Sequence, residues 1–287
     1  MTDNNPASMY EFPFRLRSEL PEFSVSDNLH IARMSEEDKK RLLHIENAKY
    51  DENGRLCSFT ATSDCLMSNM PDPHLDQNDV FCSSNYIVTA SCPERAKEFD
   101  FALKLAGNSC TALYIGFKTD TPATYYINPP SYFQGDALSV EEKDVKKISK
   151  LLEQITLLQN DKKLKTMKEI YMHALSMQRR KESRFIEIAI ILEMLLLPSQ
   201  SAELAYRFSL RLAKLLNKLT GEPVEEAFGH AKSIYNTRSR LVHSGKDSKL
   251  DDISPTAYNY VRLLLSAYIE DKNNFTDDTL DKLCLNQ

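Results

Sequence analysis

The segment from Tyr235 to Gly245 holds the residue types best suited to chemistry on a phosphodiester. Arg238, Arg240 and His243 fall within six residues of one another in a region of helical pattern. The planar guanidinium of arginine matches two phosphate oxygens and keeps its charge at any physiological pH. Histidine is the side chain that most readily takes up and gives back a proton near neutral pH. The segment therefore predicts a site that binds a phosphodiester and performs acid–base chemistry on it without a metal ion.

The length and composition indicate a folded chain with room for two domains. The chain has 287 residues, of which 42% are hydrophobic and 27% charged, and chains of this size commonly divide into domains. No apolar run approaches the roughly 20 residues that span a bilayer. The first residues also lack the basic-then-apolar pattern of a signal peptide. We therefore expect a cytoplasmic protein that does not associate with membranes.

Six cysteines are distributed along the chain without a Cys-x-x-Cys pair. Zinc sites usually contain such pairs, so the spacing favours cysteines that act as small buried apolar side chains. A site combining Cys65, His74 and Cys82 is the alternative that the sequence leaves open. We expect neither a metal ion nor a cofactor.

The charge is distributed unevenly between the two parts of the chain. Residues 1–140 hold 12 Lys and Arg against 20 Asp and Glu, a net charge of −8, whereas residues 141–287 hold 24 against 21, a net charge of +3. The overall charge of −5 argues against broad electrostatic binding of nucleic acid. A polyanionic partner should favour the basic clusters of the second part.

The first part has the pattern of a small α+β domain, residues 1–138. Ser35 is the expected N-cap of a helix that continues to about Ala48, and Pro13 indicates that the first strand lies at a sheet edge. Residues 63–82 have the composition of a long loop. No nucleophile elbow, Gly-rich phosphate loop or metal motif occurs here. Aromatic and β-branched residues predict strands at 12–16, 28–33, 85–90, 111–117 and 124–128.

The second part, residues 139–287, has the pattern of an all-α antiparallel helical bundle. The Pro-rich segment 129–135 marks the boundary, and Ser139 with Glu142 forms the capping box of the first helix. Short loops between long helices favour antiparallel neighbours. Further helices are expected at 163–180, 184–197, 201–219 and 223–243 and from the Ser254-Pro255 pair onward, before a polar tail.

Three segments of this bundle resemble the HEPN domain, in particular its ApeA-like branch. They are residues 190–198 (IILEMLLLP), 201–213 (SAELAYRFSLRLA) and 234–245 (IYNTRSRLVHSG). The third matches the Arg-x4-His signature of the family with Arg238 and His243, preceded by Tyr235 and followed by Gly245. The resemblance covers roughly residues 140–270 and does not extend to the first part of the chain.

The resemblance implies a metal-independent endoribonuclease whose site is completed by a second protomer, acting in antiviral defence or as a toxin. Arg238 and His243 would then be its catalytic residues, supported by Ser239, Glu193 and Tyr235. Other members of the family perform no chemistry, so the alternative is a module for dimerisation and for binding RNA or protein. In either case RNA and a second copy of the chain are the expected partners, with a protein or phage-derived trigger at the N-terminal domain.

Residues beside the catalytic pair have structural interpretations as well. Arg240 and Lys246 are candidate RNA contacts, although Arg240 faces another side of the helix than Arg238 and is equally consistent with a solvated side chain. Glu193 lies in an almost wholly apolar helix, and a buried carboxylate needs a partner. An ion pair between Glu193 and an arginine such as Arg238 is therefore expected with or without catalysis. His243 is alternatively a helix-end histidine stabilised by the helix dipole.

Helical geometry restricts how the catalytic pair can act. Residues five apart on a regular helix point about 140° away from each other. Arg238 and His243 therefore meet at one site only if the helix ends near His243 or if a second chain completes the site. The spacing of Arg238 and His243 therefore predicts a dimer in which two copies of this helix come together.

Overall fold

The computed structural model describes residues 9–14, 16–43, 45–50, 56–61, 84–107, 115–119, 124–126, 139–175, 179–199 and 203–285. The chain divides into two compact units, residues 1–152 and 153–287. The first unit holds a small antiparallel sheet, and the second holds a helical bundle. The expected order of an α+β part followed by an all-α part is confirmed at this level.

The main sheet of the first unit has six strands in the order β3-β4-β7-β1-β8-β9. Its neighbouring strands are antiparallel. Strands β5 and β6 form a separate antiparallel pair, and β10 pairs with β2 in parallel. Strands β1 to β10 run Tyr10–Phe14, Arg17–Ser18, Glu22–Ser26, Leu29–Arg33, Ile45–Tyr50, Leu56–Ala61, Tyr86–Ala90, Ile115–Lys118, Thr124–Tyr126 and Ser139–Val140.

Aromatic side chains join this sheet to the helix that covers it, α2 (Pro93–Ala106). Phe14 and Phe99 are both buried, and their rings meet edge to face with centroids 6.0 Å apart. Such a contact adds about 1 kcal/mol beyond the area that it buries. Buried residues alternate along β3 and β4, which shows that one face of the sheet is apolar and buried.

Two expectations for the first unit were wrong. The strand containing Pro13 lies between β7 and β8 and not at an edge. Proline is accommodated because β8 pairs only with Tyr10 and Glu11 of that strand. Ser35 does cap a helix, with a capping box to Asp38, but α1 (Glu36–Asp38) continues only as a short π-helical segment to Leu43.

The chain then enters β5, because pairing with β6 overrides the local helical pattern of residues 45–48. The expected loop at 63–82, the boundary segment 129–135, and Cys65, His74 and Cys82 lie outside the described residues.

The helical unit is organised around its most apolar helix, α5, which contacts α4, α6, α7 and α8. The Gly stops expected after α6 and α7 are confirmed, since Gly221 and Gly245 cap these helices with φ of 76° and 71°. The helices from α3 onward run Glu142–Leu157 (α3), Lys162–Ala174 (α4), Lys181–Leu196 (α5), Leu204–Thr220 (α6), Val224–Ser244 (α7), Leu250–Glu270 (α8) and Asp277–Leu285 (α9). Among the helices of the described ranges, none combines the length and apolar character needed to cross a bilayer.

The predicted start of the helical region needs correction. Ser139 does not form a capping box with Glu142, because it belongs to β10 and pairs with Arg17 of β2. Instead, the Asp144 carboxylate accepts a hydrogen bond from the Glu141 amide at 3.0 Å and caps α3. The division between the two compact units follows residue 152, within α3.

The C-terminal end also differs from expectation. Helix α8 begins at Leu250, before Ser254 and Pro255, and the Ser254 hydroxyl donates to the Leu250 carbonyl at 2.6 Å. The expected polar tail contains a further helix, α9, which packs against α6. Leu280 of α9 is buried, and Asp277 and Asp281, one helical turn apart, bind the buried Arg211 of α6.

Candidate functional site

Helix α7 presents its two predicted catalytic residues on different sides. Its buried face contains Ile234 and Leu241, which pack into the bundle. At about 100° per residue, His243 points about 180° away from Ile234, and it is exposed. Arg238 points about 40° from Ile234 and lies at the border of the buried face. A single copy of the helix therefore does not direct Arg238 and His243 toward one point.

Arg238 contacts Glu193 of helix α5, as expected. The Arg238 Nε atom is 3.3 Å from Glu193 Oε1, and the side chains are 31% and 25% exposed. The alignment does not meet hydrogen-bond geometry, so the buried Nε atom has no hydrogen-bond partner among the described residues. Burial raises the pKa of Glu193 above its usual value, although the Arg238 charge opposes the shift. The guanidinium of Arg238 is thus held near the Glu193 carboxylate, while its Nε–H donor remains without a hydrogen bond.

His243 occupies the last turn of α7, next to the glycine that ends the helix. The Gly245 amide donates to the Leu241 carbonyl at 2.9 Å and closes this turn. No hydrogen bond or ion pair joins His243 to another side chain in the part of the chain that the structure describes. The imidazole is therefore accessible to a substrate or to a second copy of the protein.

Arg240 is engaged in a local contact with the loop that follows α7. Its Nε atom donates to Asp247 Oδ2 at 2.7 Å, and a second nitrogen donates to the Thr237 hydroxyl at 3.3 Å. Desolvation favours a higher pKa for Asp247, but hydrogen bonds from the Lys249 amide, Arg240 and Thr237 outweigh it and lower the pKa. Arg240 thus holds the loop after α7 in place. Contact between Arg240 and RNA stays a prediction.

The remaining predicted site residues occupy the flank and the end of α7. Tyr235 packs against Phe208 of α6, with ring centroids 5.5 Å apart. Ser239 is half-buried, and Lys246 is exposed directly after Gly245. The structure therefore gives Tyr235 a packing role that aligns α7 with α6, whereas Lys246 extends the basic end of the helix.

A pocket of about 440 Å³ opens beside Glu193, and sequence patterns did not predict it. It lies between the start of α4, the end of α5 and the start of α6, so that its walls come from distant parts of the sequence. Lys163 lines the pocket, and its ammonium lies 5.4 Å from the centre of the Tyr268 ring. Burial lowers the pKa of this lysine. The described lining residues are Lys163, Glu193, Met194, Leu197, Pro198 and Leu204.

A buried arginine fixes the C-terminal helix to the bundle. Arg211 is only 1% exposed, and it donates to Asp277 at 2.8 Å and to Asp281 at 2.7 Å. It also donates to the carbonyl of Leu196, the last residue of α5, at 2.7 Å. An arginine within an apolar helical stretch is the sequence signal for such a contact, but its aspartate partners lie far along the chain.

Within the described ranges, no group of three or more His, Cys, Asp or Glu side chains is arranged to hold a metal ion. The chain matches no family model, and it matches no curated protein and no solved structure. Fold and site together thus define a sheet-containing unit followed by a helical bundle, in which an Arg–Glu pair borders a pocket and an exposed histidine ends the same helix as the arginine.

Proposed function

We propose that the protein is a metal-independent endoribonuclease of the HEPN type that acts as a homodimer. The observation that carries the proposal is the placement of Arg238 and His243 on one helix, with the arginine against the pocket-lining Glu193 and the histidine exposed. These two residue types supply the binding and proton transfer that phosphodiester cleavage needs. The resemblance of residues 190–245 to the HEPN domain supports the same assignment.

The proposed reaction uses the ribose 2′-hydroxyl as the nucleophile. One His243 accepts the 2′-hydroxyl proton as the 2′-oxygen attacks phosphorus, and Arg238 stabilises the additional negative charge on the phosphate oxygens. The bond from phosphorus to the 5′-oxygen breaks, and the protonated His243 delivers its proton to that oxygen. The products are a 2′,3′-cyclic phosphate and a free 5′-hydroxyl, and DNA is not cleaved because it lacks the nucleophile.

The angular separation on α7 supports a site composed of two chains. Since Arg238 and His243 diverge by about 140°, a second copy of α7 is needed to bring a histidine to each arginine. Val242, next to His243, is 51% exposed, and an exposed apolar side chain at this position is suited to a contact between copies. We place the dimer interface at the C-terminal end of α7, with Lys246 at its edge.

The proposed setting is antiviral defence or a toxin system, which rests on the resemblance. In this scheme the N-terminal unit recognises a protein or phage-derived trigger and controls the nuclease.

A second function is favoured by the ion pair between Arg238 and Glu193. Because Glu193 already neutralises the guanidinium in part, the helical unit is also suited to be a non-catalytic module that dimerises and binds RNA or a partner protein. In that case Arg238 is a packing residue and His243 a surface residue at a helix end.

Incubation with RNA in the presence of EDTA distinguishes these functions. The wild type should cleave RNA to 2′,3′-cyclic phosphate ends, while Arg238→Ala and His243→Ala should each reduce the rate at least about 100-fold. Lys232→Ala is the matched control, because Lys232 is an exposed basic residue on the same helix and should leave the rate unchanged. Intact RNA in all four samples, with and without phage lysate as a source of triggers, would favour the non-catalytic module.

A further inference from the structure

We propose that the pocket between α4, α5 and α6 binds a guanine base of the RNA, next to the phosphate held by Arg238. This assignment rests on the proposed function and deepens it, since it names the base that the nuclease recognises. Arg238 contacts the pocket residue Glu193, so a base inside the pocket brings an adjoining phosphate toward the guanidinium.

The polar groups of the pocket match the hydrogen-bonding edge of guanine. Glu193 offers two carboxylate oxygens as acceptors, and Lys163 offers an ammonium donor. Guanine has two adjacent N–H donors, at N1 and N2, followed by the O6 acceptor, whereas the other three common bases lack two adjacent donors. Unpaired bases in RNA are commonly recognised on this edge. A pocket that offers a carboxylate acceptor and a separate ammonium donor therefore favours guanine over adenine, cytosine and uracil.

Both polar groups have bonding capacity left for a ligand. Lys163 and Glu193 line one pocket, yet no ion pair between them is found in the described part of the chain. The contact of Glu193 with Arg238 lacks hydrogen-bond alignment, and that of Lys163 with Tyr268 is to a ring face. Burial disfavours the charged form of both groups and outweighs the nearby opposite charges, so that the pKa of Glu193 is raised and that of Lys163 is lowered. A base that donates to one and accepts from the other compensates this cost.

The apolar walls provide the remaining requirement of a base site. Met194, Leu197, Pro198 and Leu204 present side chains without hydrogen-bonding groups to the space between the helices. Flat bases that leave the stack are held between apolar or aromatic side chains in this manner. The volume of about 440 Å³ is within the range of roughly 300–1,000 Å³ typical of small-ligand pockets.

Binding of nucleoside monophosphates to the full chain tests the site without depending on cleavage. Isothermal titration should give an affinity for GMP at least about tenfold higher than for AMP, CMP or UMP, the discrimination expected of a bidentate contact. Lys163→Met and Glu193→Gln should each weaken GMP binding about tenfold, and Leu204→Trp should abolish it by filling the pocket. Lys162→Met is the matched control, because Lys162 is exposed and is not among the pocket residues. Circular dichroism of each variant verifies that the helices are intact.

The outcomes separate this proposal from the nuclease itself. Equal affinity for the four nucleotides, no measurable binding of GMP, or equal loss in Lys163→Met and Lys162→Met would overturn the guanine site, even if RNA is cleaved. Preferential binding of GMP that is lost in Lys163→Met but kept in Lys162→Met supports the site, even if the RNA stays intact and the nuclease proposal fails.

Discussion

Arg238 on α7 lies against Glu193 on α5, with 3.3 Å between Arg238 Nε and Glu193 Oε1. This contact connects the helix that carries the candidate catalytic residues with the central helix of the bundle. Glu193 is also a lining residue of the pocket, so the contact joins Arg238 to a wall of that pocket. The same carboxylate thereby limits the motion of Arg238 and supplies an acceptor to the pocket.

Replacement of Glu193 by glutamine should change how stability depends on pH. Burial raises the pKa of Glu193 above its ordinary value of 4.5, so the folded state holds this proton more tightly than the unfolded state. The contribution of Glu193 to stability is then fully present below pH 4.5 and is lost as the pH rises through the folded-state pKa. We expect the free energy of unfolding of the wild type, relative to Glu193→Gln, to decrease between pH 4 and pH 7.

Urea denaturation followed by far-ultraviolet circular dichroism measures this difference, because the chain contains no tryptophan. Glu225→Gln, an exposed substitution in the first turn of α7, is the control for general effects of charge. A difference that is constant over this pH range, or that increases with pH, would contradict the assigned direction.

Mixing two inactive variants should restore RNA cleavage if each site takes Arg238 from one chain and His243 from the other. Arg238→Ala and His243→Ala chains, denatured and refolded together in equal amounts, form about half heterodimers. Each heterodimer contains one intact site out of two, so the mixture should recover about a quarter of wild-type activity. Activity is measured as the rate of cyclic phosphate formation. Either variant refolded alone is the control, and a mixture as inactive as the controls would refute this division of residues between chains.

Loss of the buried guanidinium of Arg211 should destabilise the attachment of the C-terminal helix. Arg211→Met leaves Asp277 and Asp281 without their main partner and the Leu196 carbonyl without its donor. We expect a loss of about 2–3 kcal/mol, below the largest costs of broken buried ion pairs because the aspartates are partly exposed.

Arg207→Ala is the matched control for Arg211→Met. Arg207 lies 3.7 Å from the same Asp281, but the two side chains are 36% and 47% exposed, and such solvent-exposed pairs contribute under about 1 kcal/mol. Urea midpoints of the two variants, compared with the wild type, check the ranking. Similar midpoints for both would show that Arg211 does not hold α9 in place.

Two glycines of α7 should respond to alanine in opposite directions. Gly245 ends the helix with φ of 71°, a conformation that costs alanine roughly 1 kcal/mol. Gly229 lies within the helix, where alanine is favoured by roughly 0.8–1 kcal/mol. Beyond the adjoining backbone, no atom of the described residues lies within 4 Å of a Cβ added at either position, so packing does not obscure the comparison. Thermal unfolding should give a lower Tm for Gly245→Ala and a higher Tm for Gly229→Ala, and two shifts of the same sign would contradict the assignment.

The parts of the fold that sequence patterns predicted depend on contacts within a few residues. The glycine stops after α6 and α7 and the Ser35 cap were predicted because these hydrogen bonds join near neighbours in the chain. Ser139 shows the opposite case. Its spacing to Glu142 fits a capping box, but pairing of β10 with β2 removes Ser139 from the helix. That pairing joins residues more than a hundred positions apart, which local patterns do not encode.

The sequence by itself determined the angular relation between Arg238 and His243, because five residues of regular helix fix it. It also required a partner for the carboxylate of Glu193, since an isolated buried charge is costly. The tertiary structure confirmed Arg238 as this partner, and it alone decided that Arg240 turns to Asp247 and that Lys163 shares a pocket with Glu193. These relations depend on how separate helices pack, and packing brings together side chains whose separation along the chain carries no signal of their contact.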